Sequence, residues 1–133
     1  MVRSSPRSAV RRDRGSAVLE FALVAPLLLA VTAGLLQVVL AMHVRATLTS
    51  AAAEGARAAS LAGADPAAGV RRVRTLLDAG LAGSVVRDIT AGPTEVGGLP
   101  VMAVRIEAVL PLIGLLGPQA LTVEGHAVRE GWQ

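Results

Sequence analysis

The hydrophobic pattern divides the chain sharply. Residues 21–42 form a run of 22 without one charge, Phe-Ala-Leu-Val-Ala-Pro-Leu-Leu-Leu-Ala-Val-Thr-Ala-Gly-Leu-Leu-Gln-Val-Val-Leu-Ala-Met. As a helix it would be roughly 33 Å long, at about 1.5 Å per residue, which matches a hydrocarbon core of about 30 Å. A buried core helix of that length needs a larger protein around it, and the apolar region of a cleaved secretory signal runs only about 7 to 15 residues. A retained membrane span is the reading that length and flanking charge favour. Residues 43–61 are Ala-rich, with no Pro and one Gly, Gly55. One continuous helix is therefore expected from about residue 17 to residue 61, leaving the bilayer as a stalk.

Beyond Gly63 the periodicities change. Asp65-Pro66 reads as a cap followed by a first helical residue, and Val70, Val73, Leu76, Leu77 and Leu81 recur at helical spacing opposite Arg71, Arg72, Arg74 and Asp78. That arginine cluster is expected to be a solvated face. After Gly83 the period becomes two. Residues 85–91 predict a short strand, and Gly92-Pro93 with Gly97-Gly98 a connection. Residues 101–110 predict the strongest strand, with Met102, Val104, Ile106, Ala108 and Leu110 on one face. An apolar loop at 111–119 follows, then a strand at 121–129 with Leu121, Val123 and Ala127 inward. The predicted fold class is α+β: a long N-terminal helix, half transmembrane and half exposed stalk, a short second helix and a small antiparallel β-sheet of about three strands. The predicted divisions are a basic leader at 1–15, the span at 16–42, the continuing helix at 43–64 and a small α/β domain at 65–133.

Charge changes the picture only at one end. Five arginines stand against one aspartate up to Gly15, whereas beyond it eight basic residues meet nine acidic ones. The basicity belongs to the leader, so the body offers no basic face for nucleic acid. The leader, with Ser, Pro and Arg interleaved, reads as disordered over residues 1–14. Arginine asymmetry, with Arg45 alone following the span closely, places the N-terminus in the cytoplasm and the C-terminal domain outside the cytoplasmic membrane. Without cysteine there is no disulfide or thiolate metal site, and no Ser/His/acid set stands out. His43 or His126 with Glu124 would be the only conceivable metal ligands, and neither catalysis, a metal nor a cofactor is expected.

Two kinds of candidate position remain. Glu20 touches the apolar run, where a carboxylate is costly, and a capping box with Ser16 fails by one residue, so the acid wants a cationic partner. Small residues at Ala30 and Gly34 permit close helix contact within the span. In the stalk, Thr47, Ala51, Gly55 and Ala59 make one column, with Ala46, Ser50, Glu54 and Ala58 beside it, readable either as a packing seam or as a merely Ala-rich helix.

Arg14-Gly15-Ser16-Ala17-Val18-Leu19-Glu20-Phe21 resembles the leader junction of type IV pilin-like proteins. With Pro26 after Phe21 and with Glu54-Gly55-Ala56-Arg57, it resembles the TadE-like proteins of the tight-adherence, Flp-type pilus system. The resemblance is dense over residues 11–62 and general beyond. It implies that a prepilin peptidase cuts between Gly15 and Ser16, that the new Ser16 amine pairs with Glu20 of a neighbouring subunit, and that Phe21, Pro26, Glu54 and Arg57 are family positions. It further implies a minor pilin or pseudopilin that acts by helix packing with other pilin subunits and with an inner-membrane platform. The alternative is an unprocessed single-pass protein with an unrelated extracytoplasmic binding role.

Overall fold

The computed structural model describes residues 9–61, 65–111 and 117–129. The chain divides into two compact units, Met1–Val38 and Val39–Gln133. The elements are α1 (Ala9–Ser60), α2 (Pro66–Leu77), the single turn α3 (Leu81–Ser84), β1 (Val86–Val96), β2 (Leu99–Pro111) and β3 (Pro118–Val128). This is the expected α+β class, with its long first helix and three-stranded antiparallel sheet.

In the first unit α1 starts at Ala9, eight residues before the expected start, so residues 9–14 are helical and not disordered. No Gly or Pro separates Arg7 from Gly15, Arg and Ala are good helix formers, and extending an existing helix avoids the cost of nucleation. Residues 1–8 of the leader lie outside the described residues. The helix continues through Pro26. Leu19, Phe21, Leu23, Leu27, Leu28, Leu29, Leu35 and Leu36 are each 60–74% exposed, around the whole circumference. A helix that is apolar on all sides and unburied is one that lipid or other helices must cover.

In the second unit the three strands run in the order β1-β2-β3, all antiparallel. β1 and β2 meet at a two-residue turn, Gly97-Gly98, with φ of 58° and 81°. Two successive positive φ values match the right-handed twist of a hairpin, and glycine adopts them without a Cβ penalty. β1 is longer than the sequence predicts: it passes through Gly92-Pro93, with Pro93 opposite Met102, before turning. An edge strand has one side without a partner strand, so it tolerates the missing N–H of a Pro. Residues 112–116 of the expected apolar loop lie outside the described residues, while Pro118 and Gln119 already belong to β3.

The core lies between the inner sheet face and the helices. Val44, Leu48, Ala51, Ala52 and Ala56 of α1 pack with Val73 and Leu77 of α2 and with Val104, Ile106, Ala108 and Val123 of the sheet. β2 alternates as expected, with Met102, Val104, Ile106 and Ala108 buried and Arg105 and Glu107 outward. Asp65 caps α2 by accepting from the Ala67 N–H at 3.0 Å. The Arg71 guanidinium, 3.1 Å away, and then that N–H hold the Asp65 carboxyl below its ordinary carboxylate pKa. Along α2, Val73 and Leu77 are buried and Val70 and Leu76 half-buried, but Leu81 does not join them and is 78% exposed. The helix ends at Leu77, so Leu81 starts a separate turn beyond Gly80 and leaves the stripe.

Candidate functional site

The residues singled out from sequence fall into two environments along α1. Gly15, Ser16, Glu20 and Phe21 are consecutive turns of exposed helix, and Ala30 and Gly34 lie further along the same apolar surface. A Cβ added at Gly15 or at Gly34 would meet nothing within 4 Å. Neither glycine has a positive φ. The fold of this chain therefore gives no reason for either, although each costs a helix interior about 1 kcal/mol relative to Ala. Glu20 is also exposed, and no cation among the described side chains pairs with it.

The stalk is different. Ala51, Gly55 and Ala59 are buried, Thr47 is half-buried, and Ala46, Ser50 and Glu54 of the adjacent column are exposed. The first column faces this chain's own α2. A Cβ at Gly55 would lie 2.5 Å from Val73 Cγ2 and 3.1 Å from the Gly69 carbonyl oxygen; one at Gly69 would lie 2.8 Å from the Gly55 oxygen and 2.9 Å from Ala59 Cβ. The two backbones touch where the helices cross, and only glycine at both positions allows it. Glu54 flanks the crossing and accepts from the Arg72 guanidinium at 2.9 Å. Both side chains are half-exposed, so the pair contributes little beyond orientation. Arg57 is exposed, and its carbonyl oxygen accepts from the Ser60 hydroxyl at 2.9 Å.

Two positions in this packing were not singled out from sequence, Gly69 and Gly125. Gly125 is buried in β3 directly over the Ala52–Ala53 peptide of α1, with no room for a Cβ. The available signal was a glycine inside a strand pattern, which marks a close backbone approach. On the outer sheet face Glu124 pairs with Arg105 at 3.5 Å and with His126 Nε2 at 3.2 Å, across the Arg105–Glu124 register position. His43 sits instead on the exposed side of α1. Among the described residues no three His, Asp or Glu side chains gather to hold a metal ion.

An apolar helix long enough to cross a bilayer, continued into a small α+β unit, is the arrangement of a single-pass, membrane-anchored protein. Residues 15–57 match the family model described as TadE-like protein, 43 of the 133 residues. Over that stretch the chain is similar to TadE-like proteins. The match starts at Gly15, takes in Glu20, Phe21 and Pro26, and ends at Arg57, before α2 and the sheet. No curated protein matches the chain, and no solved structure matches it.

Proposed function

We propose that this protein is a minor pilin or pseudopilin that takes part in assembling a Tad/Flp-type pilus or related secretion apparatus, acting through helix packing and not catalysis. The observation that carries this reading is the contrast between glycines on α1. Gly55 is explained by the chain's own packing, whereas Gly15 and Gly34, together with Glu20, make no contact inside the described chain that accounts for them and lie within the stretch that matches the TadE-like family. Gly15 then serves recognition by a prepilin peptidase, which cuts before Ser16. Glu20 pairs with the Ser16 amine of a neighbouring subunit, and the Ala30–Gly34 surface meets another helix. The leader arginines hold the N-terminus in the cytoplasm, with the α+β unit on the outer side of the cytoplasmic membrane. Partners are the peptidase, other pilin or pseudopilin subunits and the inner-membrane platform.

Mass spectrometry of the membrane-extracted protein tests the cut. A mature N-terminus at Ser16 that disappears when the peptidase is deleted is expected. An intact Met1 in a strain with active peptidase, unaffected by Gly15→Ala, would sink the processing step. The pairing idea is separable from it: Glu20→Ala should lower subunit incorporation while membrane insertion persists. Equal incorporation of mutant and wild type counts against the ion pair.

One observation favours the second reading, an unprocessed single-pass protein. The Gly15–Ser16 peptide lies inside the uninterrupted helix α1, where backbone hydrogen bonding withholds it from the extended conformation a protease needs. Cleavage therefore requires local unwinding at Gly15, the residue with the poorest helix propensity in that region.

A further inference from the structure

We propose that the folded second unit has a lipid-binding base, an apolar groove that seats on the membrane surface beside the unit's own helix. The groove encloses about 200 Å³. Its walls are Leu40, Ala41 and Val44 of α1, Leu81 of α3, and Leu110 and Pro111 at the end of β2. All of them belong to the second unit. Leu40 and Ala41 form the last apolar turn before His43 and Arg45. A span ending at residue 42 puts that turn at the boundary between hydrocarbon and headgroups. The other lining residues then share that depth, because they wall the same groove.

The groove is chemically suited to lipid. Leu81 is 78% exposed in a one-turn helix, which leaves a large aliphatic side chain without cover. Ser84, a polar lining residue, already donates its hydroxyl to the Leu81 carbonyl at 2.7 Å. The Val85 carbonyl accepts from the Val109 N–H at 2.9 Å. An exposed aliphatic surface of this kind gains by leaving water for the membrane interface. The opposite end of the hairpin is mixed: Thr94 and Glu95 stand exposed before the Gly97-Gly98 turn, beside exposed Val96 and Leu99. Lipid is the occupant because one wall is the end of the apolar run that lipid must itself surround. Two other occupants are conceivable, the chain's own residues 112–116, Leu-Ile-Gly-Leu-Leu, which begin just after Pro111, and a second copy of the chain.

This inference rests on single-pass anchoring and not on a pilus role. The chain has no cysteine, so single substitutions Leu81→Cys, Leu36→Cys and Thr94→Cys each give one labelling position. All three side chains are exposed, so a probe there leaves the core untouched. The full chain carrying an environment-sensitive fluorophore would be reconstituted in phosphatidylethanolamine/phosphatidylglycerol vesicles. Quenching is then compared for iodide in the water, for nitroxide lipids labelled near the headgroup and for nitroxide lipids labelled deep in the acyl chain. The expected result is loss of most iodide quenching at Leu81→Cys relative to Thr94→Cys, with strong quenching by the shallow nitroxide. Leu36→Cys answers to the deep one. Iodide quenching at Leu81→Cys equal to that at Thr94→Cys overturns the proposal. Protection from both iodide and lipid nitroxides also overturns it, and assigns the groove to residues 112–116 or a second copy. If Leu36→Cys is not quenched by deep nitroxide, anchoring itself fails and the groove proposal fails with it, a pattern distinct from the other two.

Discussion

Gly125→Ala is expected to destabilise the second unit by about 1 to 3 kcal/mol, the cost of forcing one extra carbon into a close-packed interior. The added Cβ meets the Ala52–Ala53 peptide of α1, which is backbone and cannot rotate away as a side chain can. Relief requires β3 to move off the helix, carrying Val123 out of the core it shares with Ile106 and Leu48. For a unit of this size such a loss lowers Tm by roughly 5 to 20 °C. Thermal melting of the detergent-solubilised full chain measures it, and a Tm within a degree of wild type would show that the sheet does not rest on α1 through Gly125.

Leu48→Ala is expected to cost about 2 to 5 kcal/mol, whereas Leu36→Ala on the same helix leaves the melting of the second unit unchanged. Leu48 is fully buried among the core residues; Leu36 is 65% exposed. Truncating Leu48 removes transfer free energy and leaves a cavity among Ala, Val, Leu77 and Ile106 of the core. Truncating Leu36 alters only surface that lipid or a neighbouring helix covers. Denaturant titration of both variants, followed by a signal from the sheet, checks the pair. Equal shifts for the two would contradict the division of α1 into a lipid-facing and a core-facing part.

Much of the architecture was legible because it depends on local periodicity. A charge-free run of 22 residues reads as a span from composition alone, and Met102, Val104, Ile106 and Ala108 of β2, alternating with Arg105 and Glu107, mark its inward face. Asp65-Pro66 carries its capping chemistry in two residues. The errors arose where the decisive term is not local. The start of α1 at Ala9 reflects extension from an existing helix, which the polar composition of the leader hides. The length of β1 depends on its being an edge strand, which residues 85–96 do not state. Leu81 fits the α2 stripe by spacing, and only the end of that helix at Leu77 removes it.

The candidate site divides along the same line. The sequence alone determined that Gly15, Glu20 and Phe21 stand at the threshold of an apolar run, since this is a matter of order along the chain. It also carried the TadE-like pattern through Arg57. What it left undecided was whether the column through Ala51, Gly55 and Ala59 is a seam, because small residues occur equally in a loosely exposed helix. The tertiary structure decided that, and decided that the column faces α2 of the same chain. The Gly55–Gly69 crossing joins two segments distant in sequence, and its significance lies in the space left for a Cβ. A periodic pattern reports which side of a helix is apolar or small. Only the packed partner shows which of those small residues are already occupied and which, like Gly34, remain open.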